Sequence, residues 1–208
     1  MRCEPARNRI RVSLLLSAAI ALCRGFFHVC RRLPSATSIQ PCPLPTDALL
    51  ARYAGTGAYT DCYAMDVAGA VSHAEYVEAF YTGVTFEIEL LLLGLFFARS
   101  ATDSQAKQLA IGEIENFSGW RVEARNADQL LMCDLGGRTR SWLMVAPQSV
   151  GSASATRLYF GSAVLPRGTG ATGEPRMGAL FVALLWFHKL YSRVLLDDAR
   201  ARLLQVGR

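Results

Sequence analysis

Apolar and polar residues alternate one for one from Trp120 to Arg125, with Trp120, Val122 and Ala124 set against Arg121, Glu123 and Arg125. That period of two predicts a half-buried strand. Asn126-Ala127-Asp128-Gln129 is turn chemistry, Leu130 to Leu135 reads as the return strand, and Gly136-Gly137 supplies the freedom of a tight hairpin. A third strand follows over Arg138 to Ala146, ending at Pro147. After the glycine- and serine-rich loop from Ser149 to Ala155, Thr156 to Leu165 makes a fourth. The period then changes. From about Met177 to Leu204 the apolar positions recur at helical spacing, with Met177, Phe181, Leu184, His188, Tyr191 and Leu195 on one stripe. Trp186, Lys189, Arg193 and Arg200 fall on the opposite side.

Upstream, Tyr59, Asp61, Tyr63, Met65 and Val67 alternate and predict a first strand. Ser72-His73-Ala74-Glu75 fits a capping box opening a short helix, which places His73 in an exposed first turn. Thr82-Gly83 breaks that helix, Phe86 to Phe97 reads as a core helix, and Asp103 is read as the cap of a third helix reaching about Asn116. Pairing the later strands through their two turns sets Cys133 opposite both Val122 and Arg140. Trp120, Val122, Ala124, Leu131, Cys133, Leu135, Trp142 and Met144 then share the inward face, and Arg138 and Arg140 point inward beside Trp142. The other face carries Arg121, Glu123, Arg125, Asp134, Thr139 and Ser141 together with Leu130, Met132 and Leu143.

The 208 residues include 22 Lys and Arg against 17 Asp and Glu, a formal charge of +5. Its distribution removes the usual implication. Seven arginines lie in the first forty residues against Glu4 alone, so the remainder is close to neutral and a nucleic-acid partner is disfavoured. Those arginines precede and follow Val12 to Cys23, an apolar run with Ala19-Ile20-Ala21 as a small-x-small site, in the layout of a secretory signal. Pro34, Pro41, Pro43 and Pro45 follow as a stiff linker. Residues 1–48 therefore read as leader and linker, and residues 49–208 as the folded domain. Signal, membrane anchor and over-extended start remain open. The protein is cytoplasmic if the leader is no signal, and otherwise exported or membrane-anchored, with membrane contact through the N-terminal segment. The cysteines Cys3, Cys23, Cys30, Cys42, Cys62 and Cys133 form no C-x-x-C pair and match no zinc spacing, which predicts no metal and free thiols in a reducing compartment, with an exported, disulfide-bonded body left open.

Two constellations carry chemistry. Arg140 beside Trp142 offers a guanidinium fork for a carboxylate or phosphate, or, more plainly, a structural ion pair with Asp61 or Asp66. His188 on an apolar helix face is a polar ligand contact or a general base, or, more plainly, a neutral core histidine; Tyr191 stands one turn on. Gly55-Thr56-Gly57 lacks the third glycine of a dinucleotide loop, and there is no Walker loop, G-x-S-x-G elbow or H-E-x-x-H. Glu87 and Glu89, two apart on a helix, do not face each other. Trp186 on the polar side of its helix suggests a partner or membrane contact.

The order of elements and the runs Trp120-Arg121-Val122-Glu123-Ala124, Arg138-Thr139-Arg140-Ser141-Trp142-Leu143 and Thr156-Arg157-Leu158-Tyr159-Phe160-Gly161 resemble the helix-grip superfamily (SRPBCC), which holds START domains, polyketide cyclases and the birch-pollen allergen, and within it an uncharacterised bacterial branch. The resemblance covers about Tyr59 to Leu204. It implies an α+β fold, an antiparallel sheet gripping a long C-terminal helix with a helical insert after the first strand. The chain departs from the usual form in its three-helix insert and in showing only about five strands, one or two fewer than typical. It implies a cavity between sheet and helix, lined by Arg140, Trp142, Phe160, His188 and Tyr191, for a small hydrophobic molecule or lipid that is anionic if Arg140 contacts it. Binding without catalysis or cofactor is the favoured reading. The alternatives are a cyclase- or hydratase-type enzyme using His188, and a structural or membrane-associated protein with a packed core.

Overall fold

The first long strand pairs with the last, which brings the two ends of the fold side by side in one open sheet. A computed structural model describes residues 39–83, 102–150, 153–166, 168, 177 and 179–206. The strands are β1 (Gln40–Pro41), β2 (Tyr59–Ala68), β3 (Asn116–Phe117), β4 (Trp120–Arg125), β5 (Gln129–Asp134), β6 (Thr139–Val150) and β7 (Ala153–Val164). They form one antiparallel sheet in the order β1-β2-β7-β6-β5-β4-β3. Helices α1 (His73–Tyr81) and α2 (Asp103–Ala110) are inserted after β2, and the long α3 (Ala179–Val206) ends the described chain. The class is α+β, with seven strands rather than about five. The two additional strands, β1 and β3, are two residues each and too short to register as a period. The apolar stretch from Phe86 to Phe97 lies outside the described residues.

Local chemistry explains most boundaries. At α1 the capping box is complete: Ser72 Oγ accepts from the Glu75 amide at 3.2 Å, and the Glu75 carboxylate accepts from the Ser72 amide at 2.8 Å. The same device opens α2, but its cap is Thr102 with Gln105, not Asp103. Asp134 terminates the β5–β6 turn by accepting from the amides of Arg138 and Thr139 at 2.6 and 2.8 Å, while Gly137 takes φ 69°. The Ser149 to Ala155 stretch is mostly strand, because β6 runs to Val150 and β7 starts at Ala153.

The expected β5–β6 register holds, with Cys133 opposite Arg140 and Leu131 opposite Trp142. Next to its turn β4 also pairs as expected, Ala124 with Leu131 and Arg125 with Leu130. A bulge between Val122 and Ala124 then shifts the pairing by one residue, so Arg121 and not Val122 lies opposite Cys133. Trp120 and Val122 are thereby turned to the other face from Trp142 and Met144. Leu135, expected inward, is 68% exposed at the turn.

Both faces of the sheet are covered. On one, α1, α2 and α3 pack over Tyr63, Met65, Leu130, Met132, Leu143, Leu158, Phe160 and Trp120. On the other, a 3-10 turn at Leu49–Tyr53 and the chain before it cover Cys62, Leu131, Trp142 and Met144. The proline-bearing stretch from Ile39 to Ala48, expected as structureless linker, thus belongs to the body: β1 pairs with β2, and Cys42, Leu44 and Ala48 pack in that second core. Leu130, Met132 and Leu143, expected outward, are fully buried under the helices. A strand covered on both faces has no polar face to reveal its register.

Candidate functional site

Tyr59, Asp61 and Tyr63 project from β2 to one face, and Ser162 on β7 is the direct neighbour of Asp61. This is the helix-covered face, and α3 brings His188 down onto it. Asp61 Oδ1 accepts from the Ser162 amide at 3.1 Å and from Ser162 Oγ at 2.6 Å. Its Oδ2 accepts from Tyr59 Oη at 3.2 Å. His188 Nε2 lies 2.9 Å from Ser162 Oγ and 3.3 Å from Asp61 Oδ2, and the Tyr59 ring meets the imidazole edge-on at 6.0 Å. Burial, then the Asp61 charge, holds the Tyr59 phenol well above its ordinary pKa, so it stays a donor.

The protons can be assigned from this geometry. Ser162 gives its only hydrogen to the Asp61 carboxylate, so its lone pairs face His188, and Nε2–H is the donor to both neighbours. A Ser-His-Asp relay needs the opposite arrangement, with one ring nitrogen accepting from serine and the other donating to aspartate. One nitrogen here faces both groups. The cluster is an anchored hydrogen-bonding group and not an activated nucleophile. His188 remains 24% exposed and Asp61 10%, beside a core that includes Tyr63, Phe160, Tyr191 and Leu195.

Arg140 and Trp142 lie on the other face of the sheet. Arg140 is 8% exposed; its Nε meets Glu123 Oε2 at 2.7 Å and Tyr53 Oη at 2.9 Å, and its Nη1 donates to the Gly137 carbonyl at 2.7 Å. Tyr53 Oη also donates to the other Glu123 oxygen. Glu123 is the bulged residue of β4, and the bulge delivers its carboxylate to Arg140. The ion pair expected for Arg140 therefore exists, with Glu123 as its acid; Asp66 is paired with Arg157 and Asp61 with His188. Trp142 is fully buried and donates from Nε1 to Gln129 Oε1 at 2.9 Å. Leu50 and Trp142 close over Gly161, where a Cβ would stand 2.8 to 2.9 Å from both side chains and from the Asp61 carbonyl.

Phe160 and Tyr191 do share the helix-covered face with His188, at 4% and 5% exposure. Phe160 stacks on Phe80 of α1 at 5.1 Å. Of the five residues expected at one site, then, three lie on one side of the sheet and two on the other. The side chains of Phe181, Leu184 and Trp186 lie outside the described residues. Sequence reading missed Ser162 and the pairing of Asp61 with His188; the signal was the alternation of Tyr59, Asp61 and Tyr63, which becomes informative only once β2 is known to neighbour β7. His73, expected in solvent, is half-buried instead with its Nε2 covered, near β6, Arg125 and Asp128. Among the described residues no group of three or more His, Cys, Asp or Glu is placed to hold a metal ion, and no helix is long and apolar enough to cross a membrane.

Comparison of the chain with protein-family models and with curated proteins finds no match.

Proposed function

We propose that the protein binds a small, mostly apolar molecule between the sheet and α3, with the Tyr59–Asp61–Ser162–His188 cluster at the polar end of the site. The observation that carries this reading is the placement of His188: a polar side chain on the apolar face of α3, partly open, tied to a carboxylate and a hydroxyl beside that core. Pockets for such ligands are mostly apolar with a few fixed polar groups. Phe160 and Tyr191 continue the same interface on its apolar side. The order of elements, with β2 against β7 and a long last helix on one face, also supports the helix-grip resemblance.

Arg140 and Trp142 are left out of this site, which changes the ligand. Without Arg140 the cluster itself holds no guanidinium (Arg193 of α3 stands over the neighbouring Tyr63 ring at 5.7 Å) and already contains a carboxylate, so a hydroxyl, amide or carbonyl suits it better than an anion. Catalysis by His188 receives less support than binding, because Nε2 is engaged as a donor to Ser162 and Asp61.

Native mass spectrometry of protein expressed in cells, followed by titration with dodecanol and dodecanoate, tests the proposal. A co-purifying apolar molecule and preference for the alcohol are expected. Ser162→Ala and His188→Leu should each weaken binding about tenfold, the scale of one hydrogen bond to a charged or polar anchor. Trp142→Phe should leave affinity unchanged. Absence of any bound molecule together with no binding of either probe would overturn the reading, as would loss of binding in Trp142→Phe alone.

A further inference from the structure

Cys42 follows β1 directly and stands opposite Cys62 of β2, continuing the pairing of Gln40 with Ala64 and Pro41 with Tyr63. The Cys42 amide donates to the Cys62 carbonyl at 3.0 Å, so the two are hydrogen-bonded cross-strand neighbours. Such neighbours have Cα atoms about 5.5 Å apart, inside the window a disulfide spans. Their Sγ atoms are 3.3 Å apart, in contact as free thiols. Cys133, the remaining described cysteine, is on β5, three strands from β2, and donates its own Sγ–H to the Asp134 carbonyl at 3.2 Å.

We propose that Cys42 and Cys62 are a disulfide-forming pair that fastens the N-terminal strand across the edge of the sheet. Two S–H bonds break and one S–S bond forms, and the two electrons and two protons pass to a low-molecular-weight disulfide, which leaves as two thiols. The order follows from burial. Cys42 is the partly exposed partner, whereas Cys62 is 4% exposed and its thiol is pushed up by burial and then by Cys42. The Cys42 thiolate therefore attacks the oxidant, releasing one thiol and leaving a mixed disulfide. Cys62 then attacks the Cys42 sulfur and expels the second thiol.

The closed ring encloses the 3-10 turn whose Leu50 lies over Trp142. β1 itself is only two residues and holds weakly as a strand. Oxidation thus converts a short edge contact into a covalent clasp on the cover of the second core, and reduction releases it.

The test incubates the full chain with oxidised glutathione, alkylates the remaining thiols after denaturation, and maps tryptic peptides without reduction. Cleavage after Arg52 separates the two cysteines, so a linked pair of peptides reports the bond directly. The expected result is a Cys42–Cys62 cross-link, an alkylated Cys133, and a higher denaturant midpoint that reverts on reduction. Cys62→Ser should trap glutathione on Cys42 and show no such rise. Both cysteines remaining alkylated, Cys42 joined to any other cysteine, or glutathione persisting on Cys42 in the unsubstituted chain would each overturn the proposal.

Discussion

His73 opens α1, next to a capping serine that is itself in solvent, yet its ring is turned against β6 and its Nε2 is buried with no partner. Desolvation is the main cause that brings its pKa down to about 4; Arg125 nearby adds to the shift, and Asp128 and the Leu143 backbone oppose it. The consequence for stability has a definite sign. Above about pH 6.5 the ring is neutral in folded and unfolded chains alike, and it costs nothing. As the pH falls from there to about 4 the unfolded chain takes up the proton first, and stability drops, by about 3 kcal/mol once both states are protonated. Urea unfolding of the wild type and His73→Leu at pH 7, 5 and 4 measures this. The variant is expected to lose clearly less stability on acidification. Equal acid sensitivity in the two proteins would show that the burial of His73 carries no such charge penalty.

At the scale of elements, one buried side chain ties the N-terminal cover to β5 and β6. Gln129, 1% exposed, accepts through Oε1 from the Leu49 amide at 2.8 Å and from Trp142 Nε1 at 2.9 Å, and donates through Nε2 to the Asp47 carbonyl at 3.1 Å. Gln129→Ala leaves the buried Trp142 indole N–H without its partner, at a cost on the order of 1–3 kcal/mol, and removes the part-buried bonds to Leu49 and Asp47. Loss of about 2 kcal/mol is expected, with faster amide exchange across Leu49–Tyr53 and little change in α3. A loss under 1 kcal/mol would mean that water or relaxation replaces the clamp. Nothing in the sequence pointed to Gln129, because a polar residue at the end of an apolar strand reads as turn chemistry. The contrast with the β5–β6 hairpin is instructive. There Asp134, Gly137 and the alternation of Leu131 and Cys133 are local, so turn and register were legible together. The bulge at Glu123 has no local signature, since alternation continues unbroken through Arg121-Val122-Glu123-Ala124; what stabilises it is Arg140, distant in sequence. The same holds for the candidate site. His188 and Tyr191 could be placed on one helical stripe, but Asp61 and Ser162 meet only through the pairing of β2 with β7, about a hundred residues apart.

At the scale of the whole molecule, the sheet is a partition. The helices and the His188 cluster lie on one side, where Ile39 also packs, and a core closed by the chain from Cys42 to Tyr53 lies on the other. Removing the chain up to residue 55 tests how far the sides are independent. It would uncover Trp142, Leu131 and Met144 and take Tyr53 away from Arg140 and Glu123, while Tyr59, Asp61, Ser162 and His188 all remain in the chain. A contiguous apolar patch opened in this way drives association, and an edge strand β2 stripped of β1 adds free backbone donors and acceptors. The shortened chain is therefore expected to bind the dye ANS and to self-associate in light scattering, with Trp142 fluorescence shifted to the red. Dodecanol binding, if the chain remains folded, should persist, because the site proposed for it is on the protected side. A monomer with the unfolding midpoint of the full chain and no dye binding would show that the N-terminal cover is an ornament of the sheet, and the second core would then have to be held by the strands alone.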